Sequence, residues 1–341
     1  MKIALLGLPQ AGKKTMFTLL TGRDVSPSRR PDEAIEGIAQ IRDTRVDVLT
    51  QICKPQRKVY AENNFVLCPD VIEGERSWLD AARRCDLICL VVRAFDSEAV
   101  YHPAGSVDPQ RDLVALEGEL LLADLEIAEK RVGRLEKEKR AGFSSSQQAE
   151  ARALEKCMDA LESEQRLDAL VLDAPERAAI KSLEFVTTLP KLAVYNVSED
   201  AVADPRKDDA VSVSCLIEQE IMAIDDPEER NEFLAEMGLE TSGVDRVNAA
   251  SYGAQGLLSF YTTGADEVRA WTIREGSLAP VAGGKIHSDI ERGFIRVEII
   301  KYDDFVAAGS DKAAKEQGKM RLKGKDYVLE NGDICHFLFN V

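Results

Sequence analysis

The sequence predicts an α/β fold: a doubly wound parallel sheet carrying an inserted helical hairpin, followed by a small C-terminal α+β domain. Three observations carry that expectation. Short, continuous apolar runs recur at Lys2–Leu6, Phe65–Cys68, Leu87–Val92, Leu192–Tyr195 and Val211–Ser214, with helical patterns between them. Runs of this kind, bounded by polar or turn residues, suit strands covered on both faces of a parallel sheet. From Asp112 to about Leu172 the texture changes to Leu, Ala, Glu, Lys and Arg. From about Leu257 it changes again, to runs that alternate like half-buried strands.

Taken in order, the first run stops at Gly7 and a helix is expected over Lys13–Leu20. In the middle segment Leu113, Leu116, Leu120, Ala123 and Ile127 recur at helical spacing. A second stripe follows through Ala151, Leu154, Met158, Leu161 and Leu167. Gly142 reads as a helix stop and Ser146 as an N-cap, which gives two antiparallel helices inserted in the core. The charged stretch EKRVGRLEKEKR is then a solvated helix face, with a docking surface as the alternative. In the last part Val268–Ile273 and Phe294–Ile300 read as strands. Tyr327–Leu329 and Cys335–Phe339 flank Glu330-Asn331-Gly332-Asp333, an Asn-Gly signal for a hairpin. The expected division is 1–110 with 183–256 as the core domain, 111–182 as the hairpin, and 257–341 as the terminal domain.

The 341 residues are 45% hydrophobic and 30% charged, the balance of an ordinary globular chain. A net charge of −16 argues against broad wrapping of nucleic acid, though a local basic patch remains compatible with it. No stretch approaches the ~20 apolar residues of a membrane helix. The seven cysteines form no CxxC pair and no ligand cluster, so buried free thiols in a reducing cytoplasm are expected.

Gly7-Leu8-Pro9-Gln10-Ala11-Gly12-Lys13 fits GxxxxGK between an expected strand and an expected helix. The glycines let backbone N–H groups wrap an anion, the helix N-terminus adds partial positive charge, and Lys13 supplies a point charge for terminal phosphates. The pattern normally continues with Ser or Thr, whose hydroxyl holds Mg²⁺. Here Lys14 stands in that position, and Thr15 is rotated ~100° further around the helix. Nucleotide binding with weak dependence on Mg²⁺ is therefore expected.

GLPQAGKKT resembles the opening of the YchF (Obg-like ATPase) family. The resemblance continues through DTRVDVLTQICKPQRK (Asp43–Lys58), YHPAGSVDPQRD (Tyr101–Asp112) and KLAVYNVSE (Lys191–Glu199). It is closest from Ser259 to Phe305 and over GKDYVLENGDICHFLFNV. It implies a P-loop, GTPase-like domain with a helical insertion and a ubiquitin-like (β-grasp) TGS domain at 257–341. The NxxE motif, Asn196-Val197-Ser198-Glu199, replaces the aspartate that accepts two hydrogens from guanine, so the resemblance implies ATP favoured over GTP. Asn196, Val197 and Glu199 would lie nearest the base, with Ser214, Cys215 and Leu216 as the other wall. A strand-to-loop turn capped by Asn is the alternative.

Departures from the family pattern are equally specific. The metal-binding DxxG should fall within Asn64–Val71, but Leu67 stands where the aspartate belongs and Asp70 where the glycine belongs. Asp70 is a candidate displaced metal ligand. The glycine-rich switch is shortened to IEGERSW, and RDVSPSRRPDEAIEGI offers no clear switch threonine. Weakened hydrolysis is expected, since the metal neutralises charge developing during phosphoryl transfer. An active Mg²⁺-dependent ATPase or GTPase switch is the alternative. His102 matches a family histidine assigned to water activation, and a solvated loop residue is its other reading.

TGS domains occur in translation-linked proteins, so ribosome or RNA contact by a monomeric protein is implied. Residues 257–341 hold twelve Lys/Arg against thirteen Asp/Glu. Lys312, Lys315, Lys319, Arg321, Lys323 and Lys325 cluster in one segment, a candidate phosphate-contacting patch, with a soluble lysine-rich loop as the alternative.

Overall fold

A computed structural model describes residues 1–25, 32–138, 144–202 and 210–340. The chain forms two compact units, Met1–Ala39 with Asn64–Ser251, and Gln40–Asn63 with Tyr252–Val341.

The first unit is built on a six-stranded sheet. Its order is β2 (Ile35–Ile41), β4 (Ala61–Leu67), β1 (Lys2–Leu6), β5 (Leu87–Ala94), β6 (Lys191–Val197) and β7 (Val211–Val213). Strand β1 lies between β4 and β5, with Ile3 paired to Phe65 on one side and Leu87 on the other, both parallel. The β5–β6 and β6–β7 pairs are parallel as well. From Leu87 to Arg93 every residue of β5 is buried, which is why this strand reads as an unbroken apolar run rather than an alternation. All five expected strands of this sheet are present. The run at Val211 ends one residue early, because Ser214 caps the next helix by accepting from the N–H of Ile217. Helix α1 (Lys13–Thr21) follows β1 directly, as expected.

The helical insertion consists of α4 (Pro109–Glu138) and α5 (Ser145–Glu162). Gln147 reaches Glu138 at 3.2 Å, and Arg131 grips Glu150 through two bonds of 2.6 and 2.8 Å. Partners that separate symmetrically about the connection make the pair antiparallel. Ala128 and Leu135 pack with Ala153, Leu154 and Cys157 along the seam. Two local expectations need correction. The N-cap is Ser144, not Ser146, because Ser144 and Gln147 exchange side-chain and backbone bonds in a capping box. Leu167 belongs to a separate 3₁₀ turn beyond α5, although it joins the same apolar cluster. Gly142 lies outside the described residues.

The second unit has its own six-stranded sheet. The order is β11 (Arg321–Lys323), β10 (Phe294–Lys301), β12 (Asp333–Phe339), β8 (Leu257–Thr262), β9 (Glu267–Arg274) and β3 (Arg57–Val59). Strands β8 and β9 form an antiparallel hairpin, and β12 returns between β8 and β10, parallel to β8. With α10 (Ala279–Ile286) packed against the sheet, this is the β-grasp arrangement that was expected.

The Tyr327–Leu329 hairpin strand does not form. Those residues spend their backbone groups elsewhere: Ala279 N–H donates to Tyr327, and Leu329 N–H donates to Ser277. Gly332, at φ 92°, still makes the turn that starts β12. The boundary of this unit also differs from expectation. Residues 40–63 belong to it, because β3 pairs in parallel with β9 and Val46 and Leu49 of α2 (Thr44–Cys53) pack with Tyr261, Val268 and Ile334.

Candidate functional site

Between β1 and α1 the chain must reverse tightly around its own backbone. Gln10 takes φ 64° and Gly12 takes φ 88°. A Cβ on Gly7 would stand 2.6 Å from the Val91 carbonyl oxygen, and one on Gly12 would stand 2.2 Å from Asn196 Nδ2. Glycine is therefore required at both places. Gly12 provides α1 with no side-chain cap, so the first-turn N–H groups and the helix dipole point into the loop.

Asn196, buried at the end of β6, holds this corner together. Its Nδ2 donates to the Ala11 carbonyl at 3.2 Å, and its Oδ1 accepts from the Cys215 N–H at 3.1 Å. The asparagine thus ties the phosphate loop to the start of α7 (Cys215–Ala223), rather than leaving its amide free for a ligand. Beside it opens a cavity of about 730 Å³. Gln10, Gly12, Thr15, Asn196, Val197, Glu199, Ser214, Cys215 and Leu216 line it, together with Ser198, Asp200 and Gln219. Most of the sequence-nominated loop and base residues are therefore brought to one cleft. Burial, with the Glu218 carboxylate as a smaller contribution, pushes the Cys215 thiol up to about 12, so it forms a neutral wall. Leu216 is exposed to the cavity side of α7 and offers an apolar face.

The opposite wall was missed. Phe95, Asp96, Ser97 and Val100 follow β5 and line the same cavity. Arg93, 3% exposed, shapes this loop: it donates to the carbonyls of Phe95, Val100 and Tyr101, and its guanidinium lies 4.5 Å from the Phe95 ring centroid. The available signal was one arginine at the end of an otherwise apolar run, Leu-Ile-Cys-Leu-Val-Val-Arg.

Other nominated residues lie elsewhere. Leu8, Pro9 and Ala11 border a narrow gap shared with His102 and Asp112. His102 is buried; its Nδ1 accepts from the Ala104 N–H at 3.1 Å, so Nε2 donates to Asp112 at 2.8 Å. With both nitrogens engaged, the ring braces the loop before α4 instead of standing open to water, as either sequence reading required. Lys14 is exposed. Lys13, 3% exposed, donates to the Pro69 carbonyl at 2.8 Å and lies 2.9 Å from Asp70 Oδ1. Asp70 thus neutralises the loop lysine.

The residues present do not fit a magnesium ion in the expected manner. A cationic side chain, Lys14, replaces the loop hydroxyl, and Leu67 is fully buried where an acidic ligand belongs. Among the described residues no group of three or more His, Cys, Asp or Glu is placed to hold a metal. Residues 26–31 of the first switch stretch lie outside the described residues.

In the second unit the basic segment spreads over several elements. Lys312 and Lys315 sit on α13 (Asp311–Glu316), Arg321 and Lys323 on β11, with Lys319 before it and Lys325 in the turn after it. Part of the charge is already matched, by Lys312–Glu316 at 4.0 Å and Lys319–Asp304 at 2.9 Å. Lys323 lies 5.2 Å from the Tyr327 ring centroid.

Comparison with known proteins agrees with this architecture. The YchF-GTPase_C family model, described as a protein of unknown function, matches residues 257–340. The ribosome-binding ATPase YchF of Escherichia coli O157:H7 is 38% identical over 362 aligned positions, covering all of this chain and 99% of the relative. The protein of the same name from Bacillus subtilis is 37% identical, covering 99% and 98%. The solved YchF GTPase of Schizosaccharomyces pombe superposes with a TM-score of 0.85 at 31% identity, covering 99% of this chain and 97% of that one. Full-length similarity in sequence and structure, around a shared phosphate-loop architecture, makes this chain a member of the YchF family.

Proposed function

We propose that this protein is a cytoplasmic, ribosome-associated nucleotide-binding protein that takes ATP in preference to GTP and hydrolyses it slowly. The supporting observation is one cavity that joins the phosphate loop at Gly12 and Thr15 to the Glu199 and Leu216 segment. Phosphates would meet the N-terminus of α1, and the base would enter between the Glu199 loop and the Leu216 wall. Glutamate at position 199, one carbon longer than aspartate, does not reproduce the paired acceptor that selects guanine. Slow hydrolysis follows from Lys14 and Leu67, which remove two groups that would place a metal on the phosphates. The C-terminal unit acts as a TGS domain, and the names of the relatives support a ribosomal partner.

Calorimetric titration with ATP and GTP, with and without Mg²⁺, tests this reading. ATP should bind the tighter, and Mg²⁺ should change its affinity by less than about threefold, or ~0.6 kcal/mol. Single-turnover hydrolysis should be slow and should rise in a Lys14→Ser, Leu67→Asp variant whose thermal melt shows it folded. A large Mg²⁺-dependent gain in affinity, or rapid hydrolysis by the unmodified chain, would overturn the proposal.

A further inference from the structure

A carboxylate from outside the phosphate loop is set against the loop's lysine. Asp70 Oδ1 lies 2.9 Å from the Lys13 ammonium, which also donates to the Pro69 carbonyl at 2.8 Å. The segment bearing Asp70 is not a loose neighbour: Val71 N–H donates to the Gly7 carbonyl at 3.0 Å, and Cys68 N–H donates to the Leu5 carbonyl at 3.3 Å. Backbone bonds on both sides of Asp70 therefore hold it against the loop. Lys13 is nearly inaccessible, whereas the Asp70 side chain is 37% exposed. The carboxylate thus lies on the solvent side of a buried cation. An incoming polyphosphate meets the carboxylate before it gains the lysine, and two anions compete for one ammonium.

We propose that Asp70 is a specificity-determining residue: an internal carboxylate latch on Lys13 that lowers affinity for polyphosphate groups without affecting recognition of the base. Binding of a terminal phosphate requires Asp70 to swing away into solvent, which its partial exposure permits. The latch deepens the nucleotide-site reading and rests on it for the identity of the ligand, but its phosphate selectivity is separable from that reading. Relative to a chain without this carboxylate, affinity shifts away from molecules with longer phosphate chains, and the advantage of a triphosphate over a bare nucleoside shrinks.

The test compares the unmodified full chain with Asp70→Asn and Asp70→Gly, using calorimetry with tripolyphosphate, ATP and adenosine. Both variants should bind tripolyphosphate and ATP about fivefold more tightly, the upper range for releasing a partly exposed ion pair. Adenosine affinity should stay the same. Equal tripolyphosphate affinity in all three proteins would overturn the latch, even if ATP binds well. Tighter tripolyphosphate binding in the variants, with no binding of ATP or adenosine to any protein, would support the latch while sinking the nucleotide assignment. A Lys13→Ala, Asp70→Asn double variant that keeps the gain would also overturn the proposal, since the gain must act through Lys13.

Discussion

Asp43 shows how one side chain can serve a fold far from its sequence neighbours. It caps α2 by accepting from the Arg45 N–H, pairs with the Arg45 guanidinium, and accepts from the Tyr261 hydroxyl. Burial alone would raise its pKa. The hydrogen bonds from Arg45 and Tyr261, with the Arg45 charge, outweigh that and hold it below the ordinary carboxylate value. A depressed folded pKa means the stabilisation is complete above the unfolded value and disappears as pH falls through the folded one, in a window below about pH 4. Asp43→Asn should cost about 2 kcal/mol at pH 7. In urea melts the gap between wild type and variant should narrow at pH 3; a gap that stays constant would refute the ionic account. The Tyr261 contact was not legible in the sequence, because it joins positions 218 residues apart.

At the level of elements, the hairpin is fastened at its return by Asp124 on α4. This carboxylate is fully buried and accepts from Val186 N–H at 2.9 Å, Thr187 N–H at 2.7 Å and the Thr187 hydroxyl at 2.6 Å. Asp124→Ala leaves two backbone donors unpaired in a buried place and should lower stability by about 3 kcal/mol. Hydrogen exchange should then speed up around Val186 and Thr187 ahead of the β5 core; uniform exchange would count against a local clamp. The helices themselves were readable, since Leu116, Leu120, Leu154 and Leu161 keep helical spacing. Their caps and ends were less so, because Ser144, Ser145 and Ser146 are equivalent by composition and only the reciprocal bond with Gln147 distinguishes them.

For the molecule as a whole, charge is unevenly shared: residues 257–341 carry a balance near neutral within a chain of net −16. Reversal of Lys315, Arg321 and Lys325 to glutamate should weaken ribosome co-sedimentation and flatten its dependence on salt. Wild-type binding that ignores both salt and these reversals would remove the patch from the interface. No described helix is long and apolar enough to cross a membrane.

The sequence by itself determined the loop Gly7–Lys13, the strands that flank it and the two inserted helices. Each is a local pattern: a spacing, a periodicity or a turn residue whose physics acts over a few positions. It also determined Lys14 and Leu67, two departures from the family's phosphate-loop and metal-motif patterns. Tertiary structure decided what local pattern cannot encode. It assigned Arg57–Val59 to the second sheet through the β3–β9 pairing, turned Asn196 and His102 into braces, and brought Phe95 to the cleft on a loop that Arg93 holds. It also set Asp70 against Lys13, 57 positions away. The phosphate loop reads the same in sequence and structure, but the partner that holds its lysine is fixed only by strand order.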